Sequence, residues 1–169
     1  MGAVGSRNRA SATTAGFVAL IVGGYQLWNA SELLQIASFY WAVLGPLGHG
    51  FEEYTRPFHH FVAWLNAEAA LSAAAGIALL LGAVLVCARN PFGPRLLAGG
   101  CVVVFVHTGI GWVVAARMLS RFAAVGAYDE GLLWFHTPSR LAIIVLAFVL
   151  PVIAAYLALW PGRLPGKLN

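Results

Sequence analysis

Residues 61–88 read FVAWLNAEAALSAAAGIALLLGAVLVCA, with one acid, Glu68, and no base. A helix needs about 20 consecutive, predominantly apolar residues to cross a bilayer, and this stretch is longer than that with a single charged side chain. Stretches at roughly 13–34, 95–119 and 138–160 read the same way. The sequence thus predicts an all-α integral membrane protein, a four-transmembrane-helix bundle forming one domain over residues 1–169. Outer loops are expected at 45–60 and 120–137.

Composition supports this reading. Of 169 residues, 60% are hydrophobic and 9% charged, and the mean hydropathy is +0.80. Soluble domains are about 45–50% apolar and about 25% charged. So few charges cannot cover a water-facing surface, which excludes the soluble globular and disordered classes. Arg7 and Arg9 precede the apolar stretch Ala15–Trp28, as in a signal peptide. No small-x-small cleavage site follows, and apolar character resumes at Leu33, so a retained first helix is expected.

Punctuation residues mark the helix ends. Pro57 suits the first turn of the second segment with Thr55 as N-cap, and Thr137 with Pro138 suits the start of the fourth. Asn90 and Pro91 close the second segment and Pro94 opens the third, which predicts a short, stiff turn over 88–95. Pro151 falls inside the fourth segment, where its missing N–H and its ring predict a kink.

Orientation follows from the bases, because short loops rich in Lys and Arg stay cytoplasmic. One side collects Arg7, Arg9, Arg89, Arg95, Arg163 and Lys167; the other collects Arg56, Arg117, Arg121 and Arg140 among four acids. Both termini are therefore expected to be cytoplasmic, in an inner membrane. The Ala-, Gly-, Val-, Leu- and Arg-heavy usage fits a bacterial protein. Cys87 and Cys101 then lie toward the cytoplasmic side, reduced, as ordinary small apolar residues.

Inside a bilayer, close backbone approach and polar contacts hold helices together. Ala70, Ala74, Ala78 and Gly82 recur every four residues, and Gly111 with Ala115 repeats that spacing. The first set is expected to form the main helix–helix ridge.

Two intramembrane polar residues are candidates for function. His107 lies near the middle of the third segment and Glu68 about two turns inside the second; ionisable side chains at such depth mark sites by default. A Glu68–His107 contact would make a proton relay or a polar clasp. The other histidines, His49, His59, His60 and His136, are candidate cofactor or metal ligands. His107 with His60 or His136 is the arrangement a haem-, quinone- or pigment-binding redox subunit would use, although adjacent His59 and His60 diverge on a helix. Trp41, Trp64, Trp112 and Trp134 gather in the outer half as a candidate aromatic binding surface.

No P-loop, dinucleotide-binding, zincin or hydrolase motif is present, and no basic–aromatic stripe suits nucleic acid. The leading expectation is a non-catalytic accessory or structural subunit of a larger inner-membrane complex, partnered by lipids and other membrane subunits. The alternatives are the redox subunit and a small proton-coupled transporter or lipid-handling enzyme using Glu68 and His107.

Overall fold

The computed structural model describes residues 2–44, 52–124 and 138–159. Among the described residues there are four helices and no strand: α1 Gly2–Leu44, α2 Glu52–Cys87, α3 Gly93–Ala124 and α4 Pro138–Leu159. Two carry stretches long and apolar enough to cross a membrane, His59–Cys87 of α2 and Gly93–Val114 of α3. The described apolar part of α4, Phe148–Leu159, is shorter. In α1, Gln26, Asn29, Ser31 and Glu32 dilute the apolar run expected over 13–34.

Several boundaries differ from expectation. α1 is one unbroken helix of 43 residues that continues through Phe39, Tyr40 and Trp41. α2 starts at Glu52, so Thr55 lies inside the helix and not at its N-cap position. α3 extends to Ala124, into a stretch expected to be loop. α4 is described over Pro138–Leu159 and continues through Pro151, which is buried. His49, Trp134, His136 and Thr137 lie outside the described residues.

The α2–α3 turn is as short as its prolines imply. Arg89 adopts the left-handed conformation, φ 57°. Its N–H donates to the Val86 carbonyl at 3.0 Å and the Asn90 N–H donates to Leu85 at 2.8 Å. This paired bonding satisfies the last carbonyls of a helix, normally with glycine at the left-handed position. The Asn90 side chain then accepts from the Phe92 N–H at 2.9 Å, and α3 begins. Gly93 is required here, since a Cβ would lie 2.6 Å from the Val86 backbone nitrogen.

The helices pack in a closed ring: α1 and α3 each lie against both α2 and α4. On α2 the main buried stripe runs Val62, Leu65, Ala69, Ser72, Gly76, Leu79, Ala83 and Val86. These steps alternate between three and four residues, the period of left-handed bundle packing. The predicted ridge does not follow it. Each four-residue step advances a position by about 40° around a helix of 3.6 residues per turn. The ridge therefore winds outward: Gly82 is buried, Ala78 half-buried, and Ala74 and Ala70 exposed.

Glycines set the close approaches. A Cβ on Gly76 would lie 2.9 Å from the carbonyl oxygen of Gly23, and one on Gly23 would lie 3.1 Å from that of Gly76. On the α3 side, a Cβ on Gly82 would lie 2.9 Å from the Leu97 nitrogen. Ser11 Oγ donates to the Leu157 carbonyl at 3.2 Å, tying α1 to α4.

Candidate functional site

The buried stripe of α3 runs Gly93, Leu97, Gly100, Val104, His107. The same alternation that buries Leu97 and Val104 turns the His107 ring into the bundle, where it is 3% exposed. On α2, Glu68, Ala75 and Gly82 are buried at seven-residue spacing beside the main stripe. Gly82 meets Leu97, so this second line faces α3 and carries Glu68 there, 9% exposed.

The two side chains meet. His107 Nδ1 lies 2.7 Å from Glu68 Oε1, at the short end of hydrogen-bond lengths, where charge assistance operates. Gly111, one turn beyond His107, makes room: a Cβ there would stand 3.1 Å from the same Oε1. Gly111 was expected as a packing glycine paired with Ala115; what it accommodates is the carboxyl group.

The other imidazole nitrogen, Nε2, is buried with no hydrogen-bond partner among the described residues. A carboxylate on Nδ1 with Nε2 left open is the arrangement that fixes a ring's tautomer and aims its second nitrogen at a ligand. If Nδ1–H donates to the carboxylate of Glu68, a neutral ring offers Nε2 as an acceptor. If the ring is protonated, or a protonated carboxyl donates to Nδ1, Nε2–H is a donor instead. The site therefore meets either kind of partner without moving an atom heavier than hydrogen.

Three further polar side chains lie at this depth. Asn29 Nδ2 donates to Ser72 Oγ at 3.2 Å, joining α1 to α2. Gln26 is 1% exposed, and its Oε1 has no partner among the described residues. Contacts of Gly100 with Leu79 and of Gly111 with Glu68 set the antiparallel register of α3, which brings His107 level with Ser72. Contacts of Gly23 with Gly76 and of Asn29 with Ser72 bring Gln26 to the same level from α1. One polar layer thus crosses an apolar bundle within about one helical turn, ~5 Å. The sequence reading missed Gln26, Asn29 and Ser72; their signal is polar character at bundle spacing inside an apolar segment.

The other candidates are placed differently. His59 and His60 are exposed, and the His59 ring lies edge-on to Trp41 with centroids 5.7 Å apart. His60 stands eight residues before Glu68 on α2, about 12 Å along the axis, and is not brought to His107. Among the described residues no three of His, Cys, Asp and Glu gather where they could hold a metal ion. Within the expected aromatic surface, Trp41 and Trp112 are exposed. Trp64 is half-buried and serves packing instead: it stacks on Phe61, which meets Tyr40 of α1 edge-on at 5.4 Å. Cys87 is exposed and Cys101 buried, both free thiols.

No protein-family model, curated protein or solved structure matches the chain.

Proposed function

We propose that this chain is a four-span membrane protein, with both termini cytoplasmic, that binds a small molecule inside the bundle through His107 Nε2. The carrying observation is the nitrogen itself, buried without a partner while Glu68 holds the opposite side of the ring. A native polar atom left unpaired in an interior calls for a ligand or an ordered water, and in a membrane such atoms mark substrate and ion paths.

The way α1 packs on α2 supports four spans. α1 follows α2 antiparallel from Gly16 beside Cys87, through Gly23 at Gly76 and Asn29 at Ser72, to Trp41 beside His59. That is the full apolar stretch His59–Cys87, so a bilayer crossed by α2 is crossed by α1 as well. The outward Phe17, Leu20, Ile21 and Trp28 suit lipid. α4 joins in through Phe148, edge-on to Phe105 of α3 at 5.2 Å.

The test is native mass spectrometry of protein gently extracted from its own membrane. Wild type is expected to carry a discrete extra mass above the 17.9 kDa chain, and a folded His107→Ala variant to lose it. A bare chain in both samples refutes the reading. A second reading, the non-catalytic subunit of a larger inner-membrane complex, is favoured by the exposed rings of Phe39 and Trp41. Polypeptides that co-purify with wild type and are lost on Trp41→Ala support it.

A further inference from the structure

We infer that the ligand is a neutral, membrane-soluble hydroxy compound of the quinol class, held at two points between Gln26 Oε1 and His107 Nε2. This rests on the ligand-binding reading above and adds a second contact and a chemical class. Both atoms are buried and, among the described residues, unpartnered, and both belong to inward-facing stripes of the bundle. Gln26 lies on the buried line Ala15, Ala19, Val22, Gln26, Ala30 of α1, and His107 on the line Leu97, Gly100, Val104, His107 of α3. α1 and α3 each pack on α2 and α4, so their inward faces look across the ring at each other, and the register places these two residues level.

The chemistry of the two atoms restricts the occupant. An amide oxygen only accepts hydrogen bonds, so the group facing Gln26 must carry a hydroxyl or N–H. His107 Nε2 accepts from a second hydroxyl or donates to an oxygen, according to where the Glu68–His107 proton sits. Between spans 61–88 and 95–119, the only Lys or Arg residues are Arg95 at the turn end and Arg117 at the other. Among the described residues of α2 and α3 no Lys or Arg stands level with the layer to hold an anion, and the net-neutral form of the Glu68–His107 pair attracts no ion strongly. Around the layer the interior is apolar, with Leu79 and Val104 fully buried. A flat molecule with an apolar body and two polar oxygens meets all these conditions. Its reduced form fits better than the oxidised one, because a quinone carbonyl has no hydrogen for Gln26.

The experiment titrates decyl benzoquinol, its dimethyl ether and decyl benzoquinone, under anaerobic conditions, into the full chain in phosphatidylcholine nanodiscs. The quinol is expected to bind saturably at one per chain and roughly tenfold more tightly than either relative, about the worth of one buried hydrogen bond. Gln26→Leu is expected to weaken the quinol by a similar factor, leave the quinone unchanged and so abolish the preference. His107→Ala weakens both. Equal binding of quinol, ether and quinone by wild type overturns the inference without any variant, so a misfolded Gln26→Leu does not shelter it. Unchanged quinol affinity in folded Gln26→Leu also overturns it. So does an absence of saturable binding, which would leave water as the occupant. If native mass spectrometry still finds a ligand that depends on His107, only the class and the second contact fail; a bare chain removes the site reading as well.

Discussion

The Glu68–His107 pair makes a quantitative prediction for a double-mutant cycle of Glu68→Ala, His107→Ala and the two combined. The contact is 2.7 Å long and both residues are almost fully buried, so water cannot replace a lost partner. Polar couplings across membrane helices average about 0.6 kcal/mol and reach about 1.7, whereas a hydrogen bond to an ionised group contributes about 1.5–3 kcal/mol. A contact this short should reach the overlap of these ranges, a coupling of ~1.5–1.7 kcal/mol. Glu68→Ala strands Nδ1 as well as Nε2 of His107, and His107→Ala strands the carboxyl group. Each single variant should therefore lose ~2–4 kcal/mol, and the double variant distinctly less than the sum. Reversible unfolding in mixed detergent–SDS micelles, followed by far-UV circular dichroism, gives the four free energies. Additivity within about 0.3 kcal/mol, the scatter of independent sites, would refute the claim that the two side chains form one unit.

Three further predictions concern the bundle. Gly76→Ala drives a Cβ to 2.9 Å from the Gly23 carbonyl and should destabilise by ~1–3 kcal/mol, while Ala74→Leu on the exposed face should change stability by less than about 0.5 kcal/mol; the same unfolding assay reads both, and the reverse ranking would restore the four-residue ridge as the seam. Arg89→Gly removes a side chain from a left-handed residue, φ 57°, and should stabilise by about 0.5–1 kcal/mol, the strain relieved less the entropy glycine adds; a loss of stability would mean that the Arg89 side chain has a role of its own. Cys87 is exposed and Cys101 buried, so a membrane-permeant maleimide should label Cys87 in the native chain and Cys101 only after unfolding. An impermeant reagent should reach Cys87 in inside-out vesicles and not in right-side-out ones, and the opposite pattern would reverse the proposed topology.

Helix existence was legible because apolar length is a one-dimensional signal: α4 was expected over 138–160 and ends at Leu159. The Asn90–Pro94 turn was equally plain, since Pro91 and Pro94 each fix the backbone locally. What misled was the choice of helix face. In a soluble bundle the apolar stripe is the buried one, but α2 is apolar on all sides, with Leu71, Ile77, Leu81 and Val84 exposed. Hydrophobicity therefore carries no phase, and the four-residue spacing of Ala70, Ala74, Ala78 and Gly82 supplied a false one.

Polar and glycine residues do carry phase, because lipid cannot solvate the first and only a close neighbour needs the second. Glu68 and Gly82 differ by two heptads, so both lie on the same line along α2. On α3, His107, Gly100 and Gly93 fall at seven-residue intervals, and on α1 Gly16, Gly23 and Ala30 do so. Read at seven rather than four residues, these positions place Glu68 and His107 on the packing lines of their helices; the register that brings them together comes from the structure. The unpaired Nε2 and Oε1 lay beyond such reading: a period assigns a face to a side chain but does not say whether its last polar atom finds a partner. In this bundle the same period that buries Gln26 and His107 to complete two packing stripes also leaves those atoms without a hydrogen-bond partner among the described residues.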